Sequence, residues 1–165
     1  MLRPTVPADA GRAVEIQSDW EVTRMLRMAP FPPDRDAIAR WFADHGREWD
    51  AGEAYRFAID LQGRMIGVVD IDEISGGEGE LGYWFEKSSW GRGYASEAAR
   101  AVVNFAFAKV GLAKLHSGHA ADNAASANVL VKLGFRACGA VRTASLSRGE
   151  EILHQGYILV RPAGA

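Results

Sequence analysis

Residues 80–97, Glu-Leu-Gly-Tyr-Trp-Phe-Glu-Lys-Ser-Ser-Trp-Gly-Arg-Gly-Tyr-Ala-Ser-Glu, constrain this chain more than any other stretch. An aromatic strand runs into a turn carrying Gly91 and Gly93, and the turn opens an alanine-rich helix. That order gathers free backbone N–H groups and the positive end of a helix dipole at one spot, which suits a phosphate-bearing ligand. Two nucleotide loops fail on the residues. A dinucleotide G-x-G-x-x-G has Ser96 at its last glycine position, and no acidic residue lies between Ala98 and Leu115 to hold a ribose. A triphosphate loop needs Gly-Lys-Ser/Thr, which is absent from the sequence. On spacing alone, glycines that merely turn a strand into a helix remain the alternative.

The flanking chain reads as one domain over residues 1–165, because 48% hydrophobic and 24% charged residues supply a core and a solvated surface. A net charge of −2 gives no overall field toward nucleic acid or an anionic membrane, so an anionic ligand must be bound locally. Cys138 is the only cysteine, which excludes an internal disulfide and makes the cytoplasm the expected compartment. With Pro4, Pro7 and Asp9 near the start and no apolar run of membrane length, a soluble, unprocessed chain is expected.

Pro7 followed by Ala10, Ala13, Val14 and Ile16 predicts a first helix, residues 21–27 a short second, and Ile38, Trp41, Phe42 and His45 a third ended by Gly46 or Gly52. Alternation over 55–61 predicts a strand. A turn at Gln62-Gly63, a returning strand over 65–71, a glycine-rich loop over 75–79 and a strand over 80–85 complete an antiparallel meander. A helix over 96–109 capped by Gly111, a strand over 114–119, a helix from Asn123 to Gly134, and a hairpin of 135–146 with 152–160 follow. Consecutive strands first, then strands separated by helices, indicate an α/β fold with one mixed, mostly antiparallel sheet flanked by helices. Trp20, Trp41, Trp49 and Trp84 read as core or wall.

The residues from Trp90 to Ala95 resemble the pyrophosphate loop of the GNAT superfamily of N-acetyltransferases, usually Gln/Arg-x-x-Gly-x-Gly/Ala. Residues 80–85 before the loop, Ser96-Glu-Ala after it, Asn123-x-x-Ser126 and Lys132-Leu-Gly-Phe135 fall in the family's order. Leu2-Arg-Pro with Asp9 is similar to the start of the branch that contains the ribosomal-protein N-terminal (alanine/serine) acetyltransferases. The resemblance covers most of the chain. It implies acetyl-CoA as cosubstrate, main-chain contacts near Phe85 to the pantetheine arm, and pyrophosphate on the amides of Gly91, Arg92, Gly93, Tyr94, Ala95 and Ser96. Trp90 stands where the family often has Gln or Arg.

The same resemblance implies that Asn123 bonds the cofactor arm and that Ser126 faces the sulfur; the plain reading of both is the cap and first turn of a helix. Many members place a tyrosine seven residues after the asparagine to protonate the departing thiolate, but that position here is Leu130, which leaves Ser126 as the expected donor. Glu80 is the first candidate for the base that takes the amine's proton. Asp70, Asp72 and Glu73 could serve instead, or form an acidic mouth for a cationic amine. A backbone N–H between Tyr83 and Phe85 is the expected oxyanion donor. Cys138 lies apart from this stretch without a histidine partner, so no acyl-enzyme is expected. His116 and His119, three apart in a strand, point to opposite faces, and no metal is expected. The expected activity is transfer of acetyl to a primary amine, a protein N-terminus or a small molecule, by a monomer or homodimer with neither nucleic acid nor membrane as partner. A non-catalytic acyl-CoA sensor or interaction domain is the alternative.

Overall fold

The computed structural model describes residues 1–163. Seven strands form one sheet in the order β1-β2-β3-β4-β5-β7-β6. They are β1 (Leu2–Pro4), β2 (Tyr55–Leu61), β3 (Arg64–Ser75), β4 (Glu78–Phe85), β5 (Lys114–Ala120), β6 (Arg136–Ser145) and β7 (Glu150–Val160). Every pairing is antiparallel except β4 with β5. The helices are α1 (Ala10–Gln17), α2 (Trp20–Thr23), α3 (Arg35–Ala51), α4 (Tyr94–Phe105) and α5 (Ala124–Leu133). Among the described residues no helix is long and apolar enough to cross a membrane.

Strand alternation separates two cores. Val69, Ile71, Leu81, Phe85 and Leu115 pack against Val102 of α4 and Leu130 of α5. Ala58, Met65 and Val68 pack on the opposite side against Val14, Ile38 and Phe42. The amphipathic stripes of α1, α3 and α4 thus do what their spacing predicts.

Several boundaries differ from the expectation, each for a local reason. Leu2–Pro4 is a strand, because its three residues pair with Phe57 to Ile59 and satisfy the open edge of β2. α2 stops at Thr23, whose hydroxyl donates to Gln17 O at 2.5 Å, and single turns such as Leu26 N to Thr23 O carry the chain toward the prolines. α3 passes through Gly46, an exposed interior position, because Phe42 and His45 remain on its buried face, and it ends at Gly52. The loop over 75–79 shrinks to a tight turn at Gly76-Gly77, so β4 begins at Glu78. α4 begins two residues early, at Tyr94, and a π-helical turn from Ala106 to Val110 follows it.

Beneath α3 the sheet carries charge. Arg56 on β2 donates to Glu48 through Nε (2.9 Å) and Nη2 (3.0 Å), and to Asp70 (2.8 Å) and Asp72 (3.1 Å) through Nη1. Its guanidinium lies 4.9 Å from the Trp41 ring centroid. Burial opposes that charge, yet the three carboxylates hold its pKa above the ordinary value. Asp70 is pushed up to about 6 by burial and by the charge of Asp72. His45, bonded through Nδ1 to Thr5 Oγ1 at 2.8 Å, is pushed down to about 4 by burial and then by Arg56.

These two shifts act in opposite directions on stability. Unfolded His45 takes a proton below its ordinary 6.5, which folded His45 refuses down to about 4, so its contribution rises with pH through that window. Folded Asp70 keeps a proton up to about 6 that the unfolded chain releases near 3.8, so its contribution falls over almost the same window. The two contributions therefore oppose each other. Urea unfolding at pH 4, 5 and 6 is expected to show stability rising more steeply with pH for Asp70→Asn than for the native chain. Parallel profiles for the two proteins would refute the opposed titration.

Candidate active site

β4 and β5 run side by side for only three residues, with Glu78, Gly79 and Glu80 against Lys114, Leu115 and His116. The next link is a side chain, Ser117 Oγ donating to Leu81 O at 2.8 Å. Beyond it the strands part. Glu86 N donates to Ile66 O on the β3 side, whereas Phe85 O accepts the Trp90 indole N–H at 3.0 Å. Backbone direction alternates along a strand, so the N–H and C=O of Leu81, Tyr83 and Phe85 all face the split. Trp90 thereby anchors the loop to the end of β4.

At the far end of the split the chain turns through Gly91 and Gly93 into α4. Gly93 is the helix N-cap, with φ of 84°, and it has no side chain to cap the helix. A left-handed cap is open to glycine at little cost. The leading amides of α4 therefore keep their hydrogens unspent, Glu97 N being the first to bond back, to Gly93 O at 3.1 Å. Glu86 fixes the loop's start by accepting from Ser89 Oγ (3.1 Å) and from Arg12. Burial would raise its carboxyl pKa, but Ser88, Ser89, Arg12 and Arg64 together hold it below the ordinary value. The Arg92 side chain is exposed. This cradle of main-chain donors fits a diphosphate, and the split fits an extended amide-bearing arm.

The first turn of α5 closes the face of the split that α4 and α5 cover. Asn123 Oδ1 accepts from Ser126 N at 3.1 Å, so Asn123 is a cap. Ser126 is buried, its Oγ 2.7 Å from Tyr83 Oη, and Leu130 is fully buried in the core. Residues 83 and 126 belong to different elements, and their meeting is a contact that the sequence did not disclose. The one available signal was parity, since Tyr83 shares its strand face with Leu81 and Phe85.

Glu80 lies on the opposite face, directly across from Asp72 on β3 and beside His116 on β5. Although its side chain reaches solvent, partial desolvation and the charges of Asp72 and Glu73 raise its pKa, with Arg27 and His116 countering. The other proposed carboxylates separate. Asp72 is held by Arg56, and Glu73 is exposed with φ of 51°. Asp70 Oδ2 is also held by Arg56, but its Oδ1 fills the space over Gly82, where a Cβ would come within 2.5 Å. Two further loops border this side. Arg27 O accepts from Leu146 N at 2.8 Å, and Arg148 joins Arg24 O (2.8 Å) to Asp122 (2.9 Å). His116 pairs with Glu78 at 2.6 Å, while His119 faces Tyr157. Cys138 is exposed on β6 at the far side of the sheet, apart from the split. A groove of about 310 Å³ between the β1–β2 edge and α4 touches Tyr94 and Glu97 but neither Glu80 nor Ser126, so it is not where these groups converge.

Residues 1–136 match the acetyltransferase (GNAT) domain family. The chain is 32% identical over 166 residues to an uncharacterized N-acetyltransferase of Bacillus subtilis, YoaA, covering 98% of this chain and 93% of that protein. It is 28% identical over 157 residues to the uncharacterized N-acetyltransferase p20 of Bacillus licheniformis, covering 92% and 86%. Two solved structures share the fold. RimL, a ribosomal L7/L12 α-N-protein acetyltransferase in complex with coenzyme A, superposes with a TM-score of 0.85 at 19% identity, over 96% of this chain and 92% of that one. A spermidine N-acetyltransferase from Vibrio cholerae, in complex with CoA and spermine, gives 0.83 at 16% identity, over 97% and 94%.

Proposed function

The chain belongs to the acetyltransferase (GNAT) family, and on that premise we propose that it acts as one domain to transfer acetyl from acetyl-CoA to a primary amine, on a protein N-terminus or a small molecule, by direct attack in a ternary complex. The observation that carries this reading is the split between β4 and β5, which ends at the uncapped N-terminus of α4. Acetyl-CoA supplies the activated acetyl group. Amides from Gly91 to Ser96 hold the pyrophosphate, and the main-chain groups of Phe85 and Tyr83 hold the arm and present an N–H to the charge developing on the carbonyl oxygen. Relatives named for ribosomal protein and for spermidine make both kinds of amine reasonable acceptors.

Glu80 takes the proton of the incoming amine, directly or through one water. Its raised pKa improves it as a base, and the base form prevails above that pKa, so the rate falls as pH drops through it. Ser126 donates a hydrogen bond to the departing sulfur. Two variants check these roles. Glu80→Gln is expected to lose the acidic limb of the pH–rate profile, and a limb that stays in place removes Glu80 as the titrating base. Ser126→Ala is expected to lower the transfer rate up to about tenfold with acetyl-CoA affinity kept, and unchanged turnover removes Ser126.

Release of free thiol from acetyl-CoA, measured against a panel of polyamines and peptides with free N-termini, tests the proposal as a whole. Amine-dependent thiol release is the expected result. CoA binding without transfer to any amine would favour a sensor, a reading that Leu130 in the tyrosine position keeps in play.

A further inference from the structure

A hydroxyl that serves a departing thiolate must have its hydrogen pointing at sulfur. Ser126 owns one hydrogen and two lone pairs. Its Oγ lies 2.7 Å from Tyr83 Oη, and the same phenol lies 3.3 Å from the Ser126 carbonyl oxygen. Burial pushes the Tyr83 pKa up to about 12, so the phenol keeps its hydrogen throughout the neutral range. Two hydrogen arrangements satisfy this geometry. In one, Tyr83 donates to the Ser126 carbonyl and receives the Ser126 hydrogen. In the other, Tyr83 donates to Ser126 Oγ across the shorter gap, which frees the Ser126 hydrogen. Negative charge on sulfur selects the second arrangement, because a charged acceptor draws a hydrogen bond roughly twice as strong as a neutral one.

We infer that Tyr83 is a positioning residue for the leaving group: by donating to Ser126 Oγ it turns the Ser126 hydrogen toward the thiolate, a two-link relay in place of the donor that Leu130 cannot be. The inference rests on the reading of Ser126 given above. It also accounts for the way Tyr83 is used twice, its main chain facing the split while its side chain reaches the first turn of α5. Neither hydroxyl gives up its hydrogen. The electron pair of the broken C–S bond stays on sulfur, and solvent protonates the thiolate after release.

The acidity of the CoA thiol, read in the bound complex from thiolate ultraviolet absorbance against pH, tests the relay without any amine. Four proteins are compared: native, Tyr83→Phe, Ser126→Ala and the double variant, each with saturating CoA and with its melting temperature checked. The bound thiol of the native protein is expected to be more acidic than free CoA. Ser126→Ala is expected to weaken that acidity about tenfold, Tyr83→Phe about threefold, and the double variant no more than Ser126→Ala alone. A Tyr83→Phe titration equal to native beside a shifted Ser126→Ala overturns the relay and leaves Ser126 in its role. Effects that multiply in the double variant also overturn it, since Tyr83 would then act by another route. An unshifted Ser126→Ala removes Ser126 from the sulfur, and the relay falls with it. Should the phenylalanine variant not fold, 3-fluorotyrosine at position 83, a stronger donor, is expected to make the bound thiol more acidic, and an unchanged titration overturns the relay.

Discussion

Arg56→Ala is expected to destabilise the protein by about 3–5 kcal/mol at pH 7, the range measured when one partner of a buried ion cluster is removed. Arg56 is 6% exposed and is the shared partner of Glu48, Asp70 and Asp72. Without it, three carboxylates face one another under α3, and Trp41 loses the cation resting on its ring. The loss has a pH signature with a definite sign. Uncompensated, the carboxylates titrate higher in the folded than in the unfolded state, so the folded variant binds more protons and regains stability as pH falls. Denaturant melts at pH 7 and pH 5 are therefore expected to show the gap between native and variant narrowing at the lower pH. A variant within 1 kcal/mol of native at pH 7 would mean that water replaces the guanidinium easily, and the cluster would not be what holds α3 on the sheet.

Gly67→Ala is expected to damage fold and cofactor binding together. Gly67 pairs with Phe85 across β3 and β4, and a Cβ there would overlap the Trp84 carbonyl oxygen while lying 2.9 Å from Phe85 Cδ1 and 3.0 Å from Phe85 Cα. Two of those three atoms are backbone, so relief requires the end of β4 to move away from β3. Overpacking of this kind costs roughly 1–3 kcal/mol, and the upper end is expected here, a fall of about 6–12 °C in melting temperature for a domain of this size. The same movement shifts Phe85 and the Trp90 anchor, so the rise in melting temperature that CoA gives the native protein should vanish. Gly46→Ala is the control. Nothing lies within 4 Å of its added Cβ, and in the interior of α3 it is expected to gain about 0.5–1 kcal/mol. A Gly67 variant that keeps its response to CoA would show that the wall of the split does not depend on this close approach.

Much of the architecture was legible because it depends on local pattern. The helical stripe at Ile38, Phe42 and His45 states which side of α3 is apolar, and burial follows it, whereas alternation over 55–61 marks a strand but not its buried side: Arg56 and Ala58 are buried, Tyr55 and Phe57 half-buried and Leu61 exposed, because α3 covers the face that the pattern leaves to solvent. Boundaries were less legible where a distant partner decides them. Leu2–Pro4 has no strand signature of its own and becomes one only because β2 offers it an edge. The glycines at 76 and 77 could have floated in a loop, but the ladder between β3 and β4 draws them into a turn.

The candidate site divides along the same line. By itself the sequence determined the glycine turn into a helix start on which the proposed anion cradle rests, because its chemistry is contiguous: two glycines, an uncapped helix start and no competing side chain within one short stretch. It also determined that position 130 cannot donate a proton. Only the tertiary structure decided where β4 leaves β5, which carboxylates Arg56 claims, and that the Tyr83 hydroxyl meets Ser126. Those contacts depend on strand register and on the seating of helices against the sheet, and a slip of one residue would carry Tyr83 to the opposite face. Residue identity specifies what a group can do. Register specifies what it does it to.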